Sequence, residues 1–492
     1  MSVATDVSPP AEELPERPAR PDRSWSIVPL LTRLHFYAGI LVAPLLAVAA
    51  VTGLLFAFSP QLDSLVYDRE LHAAQAGPGL PKPLSEQVAA AIAAHPDGTL
   101  ATVIPAAAPD ATTRVVFSVP ELGEKQHTVF VDPYTGEVRG RLTTWAGETP
   151  LMTWLDDLHR NLHLDAVGRA YSETAASWLW VLVLGGLILW CNRQWRRRAE
   201  TRRVRGRTEA TLLYDLNAAK GVRRTRSLHA ATGVWLVVGL LFLSATGLTW
   251  SRWAGGNFSA ALEQMDARRP ALATSLTGGA APAGTAHHSE APTAAAGDPA
   301  QIDAVLRIAL ANGISAPMEI SPPAEAGLAW SVVENDNVWP VHFDKIAVDP
   351  GTGTVAHRTD YADWPLLAKL SALGVQAHMG YLFGLANQLL LAALAIGLLC
   401  VITWGYRMWW QRRPTRAGRR ALAGPPPARG AWRRLRLPLL IAGVLVTAAI
   451  GWALPAFGVT LLAFLLLDVV VAAVRRVRRK PPVPTSPAPA GA

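Results

Sequence analysis

The sequence predicts a polytopic α-helical membrane protein of about six transmembrane helices, internally duplicated, with two small α+β domains on the extracytoplasmic side. Three observations predict it: an apolar composition, the clustering of the basic residues, and a repeated pattern along the chain. Half of the 492 residues are hydrophobic and only 17% are charged. A run of about 20 apolar residues can cross the ~30 Å hydrocarbon core of a bilayer. Six such runs are present, at residues 34–58, 174–191, 228–250, 382–404, 437–454 and 456–474.

The basic residues indicate how these runs are oriented. Of the 46 Lys and Arg residues, 31 lie in four segments, at residues 1–33, 193–227, 407–436 and 475–492. Basic residues beside transmembrane helices mark the cytoplasmic side. We therefore expect a multi-pass protein of the inner (cytoplasmic) membrane with both termini in the cytoplasm. The net charge of +9 is explained by topology and contact with membrane lipid, so no nucleic acid is expected as a partner.

This orientation divides the chain into twelve segments. They are a disordered cytoplasmic N-terminus (1–26), transmembrane helix 1 (27–59), soluble module 1 (60–157), transmembrane helix 2 with an outer extension (158–192), a basic cytoplasmic loop (193–227), transmembrane helix 3 (228–251), an outer segment with an Ala/Gly/Pro-rich linker (252–298), soluble module 2 (299–370), transmembrane helix 4 with an outer extension (371–406), a second basic loop (407–436), transmembrane helices 5 and 6 (437–474) and a basic, Pro-rich tail (475–492). The last two runs meet at Pro455, so a single re-entrant hairpin remains an alternative for 437–474.

The chain repeats itself. Residues 35–53 recur as residues 229–247, with His, Thr and Gly at matching positions and a constant offset of 194. In the loops, residues 131–136 (VDPYTG) recur as residues 348–353 (VDPGTG). Each unit contains two crossings, so the two copies keep the same orientation and are expected to be related by an axis along the membrane normal.

Each soluble module has the pattern of a small α+β domain. Helical spacing is seen at residues 84–94 and 299–311. Runs rich in β-branched residues indicate strands, and the Asp-Pro-x-Thr-Gly elements indicate turns. The expected strands are residues 113–119, 128–131, 330–333 and 341–348.

Five of the 12 histidines stand at the ends of predicted helices: His35, His229, His163, His378 and His159. Ionisable side chains at such places are costly and usually functional. Two facing imidazoles can hold the iron of a haem b. We therefore expect one bis-histidine haem between His35 and His229 near the cytoplasmic face, and a second near the outer face between His378 and either His163 or His159. The internal symmetry favours His163 as the residue opposite His378.

Other interpretations of the histidines and their charged neighbours remain open. His159 and His163, with Asp156, Asp157 or Asp165 nearby, are compatible with a zinc site on one helical face. The arginines beside the histidines either pair with haem propionates or only set the topology; they are Arg33, Arg160 and Arg226.

Three further residues lie within or beside the apolar runs. Asp468 is a candidate proton-relay group or a polar partner of Arg475 or a neighbouring helix. Cys191 and Cys400 are lone thiols that are not expected to matter for folding, and two cysteines exclude a disulfide framework or a cysteine zinc site.

The motifs resemble a known family. His35 with Thr52-Gly53, the segments 158–163 (LHRNLH) and 377–384 (AHMGYLFG), and Arg407-Met408-Trp409-Trp410 resemble PepSY-associated transmembrane proteins, and the Asp-Pro-x-Thr-Gly modules resemble PepSY domains. The family includes iron-regulated membrane proteins and haem-containing ferric-siderophore reductases, and the resemblance covers about residues 27–478. It implies a haem-b electron-transfer protein that reduces ferric iron or ferric-siderophore complexes outside the membrane in iron acquisition.

No dinucleotide-binding, P-loop or serine-nucleophile motif is present, so electrons would have to come from a separate cytoplasmic flavoprotein or a quinol. The resemblance also leaves a second function open, a membrane-anchored PepSY protein that binds and regulates an extracytoplasmic peptidase without redox activity. Duplicated membrane histidines are unexplained by that alternative. A transporter is disfavoured because the runs lack a pair of helices broken by Gly or Pro at mid-membrane depth.

Overall fold

A computed structural model describes residues 27–74, 79–201, 221–276, 297–413, 427, 429–430, 432 and 435–478. The predicted N-terminal segment 1–26, most of the first basic loop, most of the linker, much of the second basic loop and most of the tail lie outside these residues. The helices are α1 (Val28–Leu41), α2 (Ala43–Ala57), α3 (Ser59–Val66), α4 (Asp68–Leu71), α5 (Leu84–Ala94), α6 (Pro150–Asn161), α7 (Asp165–Thr201), α8 (Val222–Thr249), α9 (Ala254–Gln264), α10 (Ile302–Ala311), α11 (Leu366–Met379), α12 (Leu385–Gln411), α13 (Leu437–Ala453) and α14 (Pro455–Arg478).

Four described helices are long and apolar enough to cross a membrane: α7, α8, α12 and α14. The pair α1 and α2 adds a fifth crossing if it is counted as one span. The predicted fifth crossing is only the 17-residue helix α13, shorter than the other candidates. By length and composition the described residues therefore provide four or five crossings rather than the predicted six.

The first span is bent by 55° between α1 and α2. Pro44, in the first turn of α2, has no N–H to donate to the carbonyl of Ile40, and its ring disturbs the preceding turn. The Tyr406 hydroxyl of α12 donates a hydrogen bond of 2.8 Å to that carbonyl. A side chain from a neighbouring helix thus satisfies the acceptor that proline leaves free, as an apolar environment requires.

The long helices form a ring. Helix α2 packs on α7, α7 on α8, α8 on α12, and α12 back on α2, while α1 and α14 pack on α7. Buried apolar residues pack where the ring helices meet each other and α14, among them Leu46, Trp178, Leu179, Leu240 and Phe457. The ring leaves room for a site between its helices and encloses it in apolar side chains.

Separate from the long helices, the described residues form one sheet of eight antiparallel strands in the order β4-β3-β2-β1-β5-β6-β7-β8. The strands are β1 (Thr99–Ile104), β2 (Thr113–Ser118), β3 (Gln126–Val131), β4 (Val138–Thr144), β5 (Met318–Ser321), β6 (Trp330–Glu334), β7 (Lys345–Asp349) and β8 (Thr354–Thr359). The two halves meet where β1 pairs with β5, at Val103 opposite Ile320. Helices α5 and α10 and both sets of strands contribute to one hydrophobic core.

This arrangement corrects the predicted strand pattern. Helix α5 begins and ends as predicted, and α10 follows a short 3₁₀ turn at Pro299–Gln301. Strands β1 and β5 are absent from the predicted pattern, and these two strands join the predicted modules into one continuous sheet. The inner face of the sheet is buried against α5 and α10, which fixes the register of each strand.

Candidate functional site

The structure brings four histidines together as two pairs at different depths of the helix ring. His159 lies near the end of α6 and His378 near the end of α11, and their ring centroids are 6.4 Å apart. We call them the sheet-side pair, because α6 follows β4 and α11 follows β8 in the chain. His35 on α1 and His229 on α8 have ring centroids 6.3 Å apart, and we call them the far-side pair.

Two threonines fix the rings of the sheet-side pair in the same way. The Nδ1 atom of His159 lies 3.0 Å from the Thr52 hydroxyl, and the Nδ1 atom of His378 lies 2.7 Å from the Thr246 hydroxyl. Each hydroxyl also donates to the backbone carbonyl four residues earlier in its own helix, at 2.9 Å and 2.8 Å. The hydroxyl proton is thereby committed to the helix, so the oxygen accepts Nδ1–H from the imidazole. Nε2 of both rings then has a free lone pair.

Glycines make room for these rings. A Cβ atom on Gly53 would approach Cε1 of His159 to 2.9 Å, and one on Gly247 would approach Cε1 of His378 to 3.5 Å. The first distance is too short for any real side chain, so residue 53 must be glycine for His159 to keep this position. In each copy of the Thr-Gly pair, the threonine thus bonds to the imidazole, and the adjacent glycine leaves space for the ring.

An apolar cavity of about 250 Å³ adjoins the sheet-side pair. Both histidines line it, and its walls come from all four helices of the ring. The small side chains of Ala49, Ala50 and Ala176 keep it open. Such a mainly apolar space with a few inward polar groups is typical of a cofactor or ligand site.

The far-side pair is held differently. Nδ1 of His229 donates to the carbonyl of Val401 over 2.9 Å, which again leaves Nε2 with a free lone pair. Gly186 faces His35, where an added Cβ would lie 3.1 Å from Cε1, and Gly405 faces His229 at 3.7 Å. Gly186 and Ala176 are ten residues apart on α7, so the two pairs are separated by about 15 Å along that helix.

His163 is not part of either pair. Helix α6 ends at Asn161, and both Leu162 and His163 have left-handed backbone conformations. His163 is exposed and lies beside Trp154, with ring centroids 5.0 Å apart. The expected juxtaposition of His163 and His378 is therefore wrong as geometry, because the turn between α6 and α7 carries His163 away from the ring. Of the two outer candidates, His159 faces His378.

The arginines beside the histidines have protein partners. Arg33 forms an ion pair with Asp468 of α14 at 2.5 Å, and its second nitrogen donates to the carbonyl of Pro427. Asp468, left open as a proton-relay candidate, is thus a polar contact to a neighbouring helix. Arg160 pairs with Asp156 at 3.4 Å and with Asp157 at 2.9 Å.

A second cavity, of about 460 Å³ and polar, lies next to the apolar one. The two cavities share Arg160, Arg169 and Arg252 in their walls. Sequence reasoning missed Arg169 and Arg252, since neither adjoins a histidine in the chain. Burial raises the pKa of Asp156, another residue of the apolar cavity, while Arg160 acts against that shift.

The zinc alternative finds no ligand set in the part of the chain that the structure describes. No three His, Cys, Asp or Glu side chains converge there on a common point. His159 and His163 do not share a helical face, because the helix ends between them. Cys191 and Cys400 are free thiols.

A comparison with protein families finds a match to the PepSY-associated TM region over residues 32–412. The match begins in α1 and ends after α12, so it contains both histidine pairs and the whole sheet. No curated protein matches the chain.

Proposed function

The chain belongs to the PepSY-associated TM family, and from that premise we propose that it is a haem-b-containing transmembrane electron-transfer protein. Its proposed role is to reduce ferric iron or ferric-siderophore complexes on the extracytoplasmic side in iron acquisition. The observation that carries this proposal is the separation of the imidazoles in both pairs.

Two imidazoles that clamp one metal have a characteristic spacing. With metal–nitrogen bonds of about 2.0 Å and about 1.1 Å from each nitrogen to its ring centre, collinear ligands have ring centroids about 6.2–6.4 Å apart. In the structure the ring centroids are 6.3 Å apart for His35 and His229 and 6.4 Å apart for His159 and His378. Such a match at two sites favours two metal-binding pairs over chance neighbours.

The donor set also fits a haem iron. Nε2 is the free nitrogen of His159, His378 and His229, since Nδ1 of each ring bonds to a threonine or a carbonyl. The apolar cavity adjoins the sheet-side pair, and glycines flank all four rings. His35 and His229 would hold one haem b, and His159 and His378 would hold the second.

A bound haem supplies reversible one-electron chemistry at iron, and the protein sets its position and surroundings. Leu179 and Leu240 are buried apolar residues of the ring and line the apolar cavity beside the sheet-side pair. Electrons would enter at the far-side pair from a cytoplasmic flavoprotein or a quinol and leave at the sheet-side pair. This direction rests on the clustered Lys and Arg residues, from which we expect the sheet on the extracytoplasmic side.

Corresponding contacts in the two halves support an internal duplication with PepSY-like modules. Thr52 bonds to His159 as Thr246 bonds to His378. Each half of the sheet is a four-stranded meander with one helix on it. We infer that one ancestral unit of two crossings and one module was repeated.

The test is a reduced-minus-oxidised absorption spectrum of the purified protein, expressed with ample haem, together with the haem-to-protein ratio. We expect low-spin b-type bands and a ratio of about 2. A matched variant with all four paired histidines changed to Ala should lack both haems. Wild-type protein without a Soret band would defeat the proposal and favour the peptidase-binding alternative.

A further inference from the structure

The polar cavity beside the sheet-side pair has the location and the chemistry of a substrate site. We propose that it binds the ferric complex of an anionic, carboxylate-bearing chelator. This inference rests on the proposed function and adds to it the docking place and the charge class of the substrate.

Location is the first argument. Arg160, Arg169 and Arg252 separate the two cavities and line both. Arg160 directly follows His159, a wall residue of the apolar cavity. An occupant of the polar cavity therefore lies one layer of side chains away from the sheet-side pair.

Charge is the second argument. The negative and positive side chains of the polar cavity do not neutralise each other where the two cavities meet, and positive charge is in excess there. Asp157 is committed to Arg160 and to the amide of Asn161, at 2.9 Å and 3.0 Å. Arg169 and Arg252 form no ion pair with any side chain in the described ranges, and Arg252 is exposed. Arg169 acts on Asp156 only through its charge, and the guanidinium of Arg252 lies 5.4 Å from the ring centroid of Trp253. Both guanidinium groups line the polar cavity without an ion-pair partner, and planar guanidinium forks bind carboxylates with two hydrogen bonds.

The remaining residues limit what can bind. Lys125 adds a third cation, whereas Glu124 and Asp165 are exposed acids of the same cavity. The guanidinium of Arg160 lies 5.6 Å from the ring centroid of Trp145 and is held in place there. The site therefore combines fixed and free cations with an aromatic wall, which suits a compact polar anion better than an apolar molecule.

The electron balance is simple. A ferrous haem held by His159 and His378 would supply one electron to Fe³⁺ in the bound chelate. The haem iron would become Fe³⁺, the chelated iron would become Fe²⁺, and no proton would be transferred at either metal. The flavoprotein or quinol donor would replace the electron through the far-side pair.

Binding can be measured without redox chemistry by using gallium(III) citrate, since Ga³⁺ resembles Fe³⁺ in charge and size but is not reduced under these conditions. The assay is isothermal titration calorimetry on the full-length protein in lipid nanodiscs. The double variant Arg169→Gln/Arg252→Gln removes the two free guanidiniums. The matched control is Arg307→Gln, an exposed arginine of α10 outside both cavities.

We expect saturable binding to the wild type and to the control, and binding at least about tenfold weaker in the double variant, since charged hydrogen bonds are lost. The absorption spectrum should be the same in all three proteins. If the double variant does not fold, Arg252→Gln alone, at an exposed position, should weaken gallium citrate binding in the same direction by a smaller factor.

Two results would overturn the inference. One is equal gallium citrate binding, or none, in wild type and double variant. The other is loss of the sheet-side haem spectrum in the double variant, which would assign the two arginines to the cofactor's own carboxylates. A protein that lacks haem but binds gallium citrate through these arginines would refute the proposed function and leave the binding site standing.

Discussion

At the scale of single residues, the chemistry of the site depends on which nitrogen of each imidazole is free. Thr52 and Thr246 accept from Nδ1 of His159 and His378, and the carbonyl of Val401 does the same for His229. These partners fix the tautomer and the ring orientation of a metal-binding histidine and raise its basicity. The four paired histidines are therefore distinguished from the exposed His163 by the residues that surround them.

The histidine assignments predict distinct losses. His378→Ala removes one of the two proposed ligands of the sheet-side haem, so this haem should be lost or become high-spin, while the far-side haem persists. The haem-to-protein ratio should fall from about 2 to about 1 on loss. His229→Ala should have the converse effect, and His163→Ala should leave both spectra unchanged. Two low-spin haems in His378→Ala, or one haem in His163→Ala, would contradict the assignment.

Thr246→Val tests the hydrogen bond to His378. Valine has nearly the same shape but accepts no hydrogen bond, so His378 becomes a less basic ligand and Fe³⁺ is less well stabilised. We expect both haems to remain, a higher midpoint potential for the sheet-side haem, and about tenfold weaker haem binding there. Potentiometric titration measures this.

The matched control is Thr403→Val on α12, because the exposed Thr403 hydroxyl bonds only to the carbonyl of Leu399. An unchanged sheet-side potential in Thr246→Val would remove the proposed role of the threonine.

At the scale of elements, the ends of α6 and α11 decide where the sheet-side histidines point. Leu162 ends α6 and Gly380 ends α11, both in the left-handed conformation, and new helices begin at Asp165 and Leu385. The membrane helices α7 and α12 are therefore each preceded by a separate short helix, and each of these two short helices carries one histidine of the sheet-side pair. The end of α6 at Leu162 is difficult to predict from the sequence, because leucine rarely adopts a positive φ.

Thr149 ties the start of α6 to α3. Its hydroxyl caps α6 by accepting from the backbone N–H of Met152 at 3.2 Å, and it donates to the Asp63 carboxylate at 2.7 Å. Thr149→Val should cost about 1 kcal/mol for the cap and further leave a buried carboxylate without this donor. We expect a lower Tm by differential scanning calorimetry than in Thr447→Val, where the hydroxyl bonds only within its own exposed helix.

The loss of stability in Thr149→Val should also depend on pH. Burial raises the pKa of Asp63, and the hydrogen bond from Thr149 opposes that rise. The folded protein thus holds this proton more tightly than the unfolded chain, so the contribution of Asp63 to stability falls as pH rises through its folded pKa. Without the Thr149 hydroxyl the pKa of Asp63 rises further, so stability should fall more as the pH rises. The Tm deficit of Thr149→Val should therefore grow from pH 4 to pH 8. A deficit that shrinks over this range would show that the ionised carboxylate is not the cause.

At the scale of the whole molecule, one sheet and one helix ring bind the two halves of the chain together. β1 pairs with β5 across the halves, and in the ring α7 packs on α8 and α12 packs on α2. Both histidine pairs join residues of the first half to residues of the second. A site between two repeats requires both copies, so neither half alone would hold a haem.

The topology of the whole chain gives a further prediction. A reporter that is active only outside the cytoplasm should work when fused after residue 100 or 320 and fail after residue 210 or 425, because the basic residues retain their loops inside. Alkaline phosphatase fusions, with a cytoplasmically active reporter at the same sites as control, measure this. The reverse pattern would invert the proposed direction of electron flow.

Much about this protein follows from its sequence alone. The apolar runs predicted the membrane helices α7, α8, α12 and α14, and the quoted motifs predicted the family that the comparison confirms. Helix α5 was predicted to the residue. Helix spacing and hydrophobic runs are local properties, so they can be read from neighbouring residues in the chain.

The tertiary structure decided what depends on distant segments. It selected His159 over His163 as the residue facing His378, joined the two modules through β1 and β5, and placed Arg169 and Arg252 between two cavities. Each of these results depends on residues far apart in the chain: Thr52 and His159 are 107 residues apart, and Tyr406 reaches Ile40 across 366. Packing brings such residues together because buried polar groups need partners, wherever in the chain those partners lie.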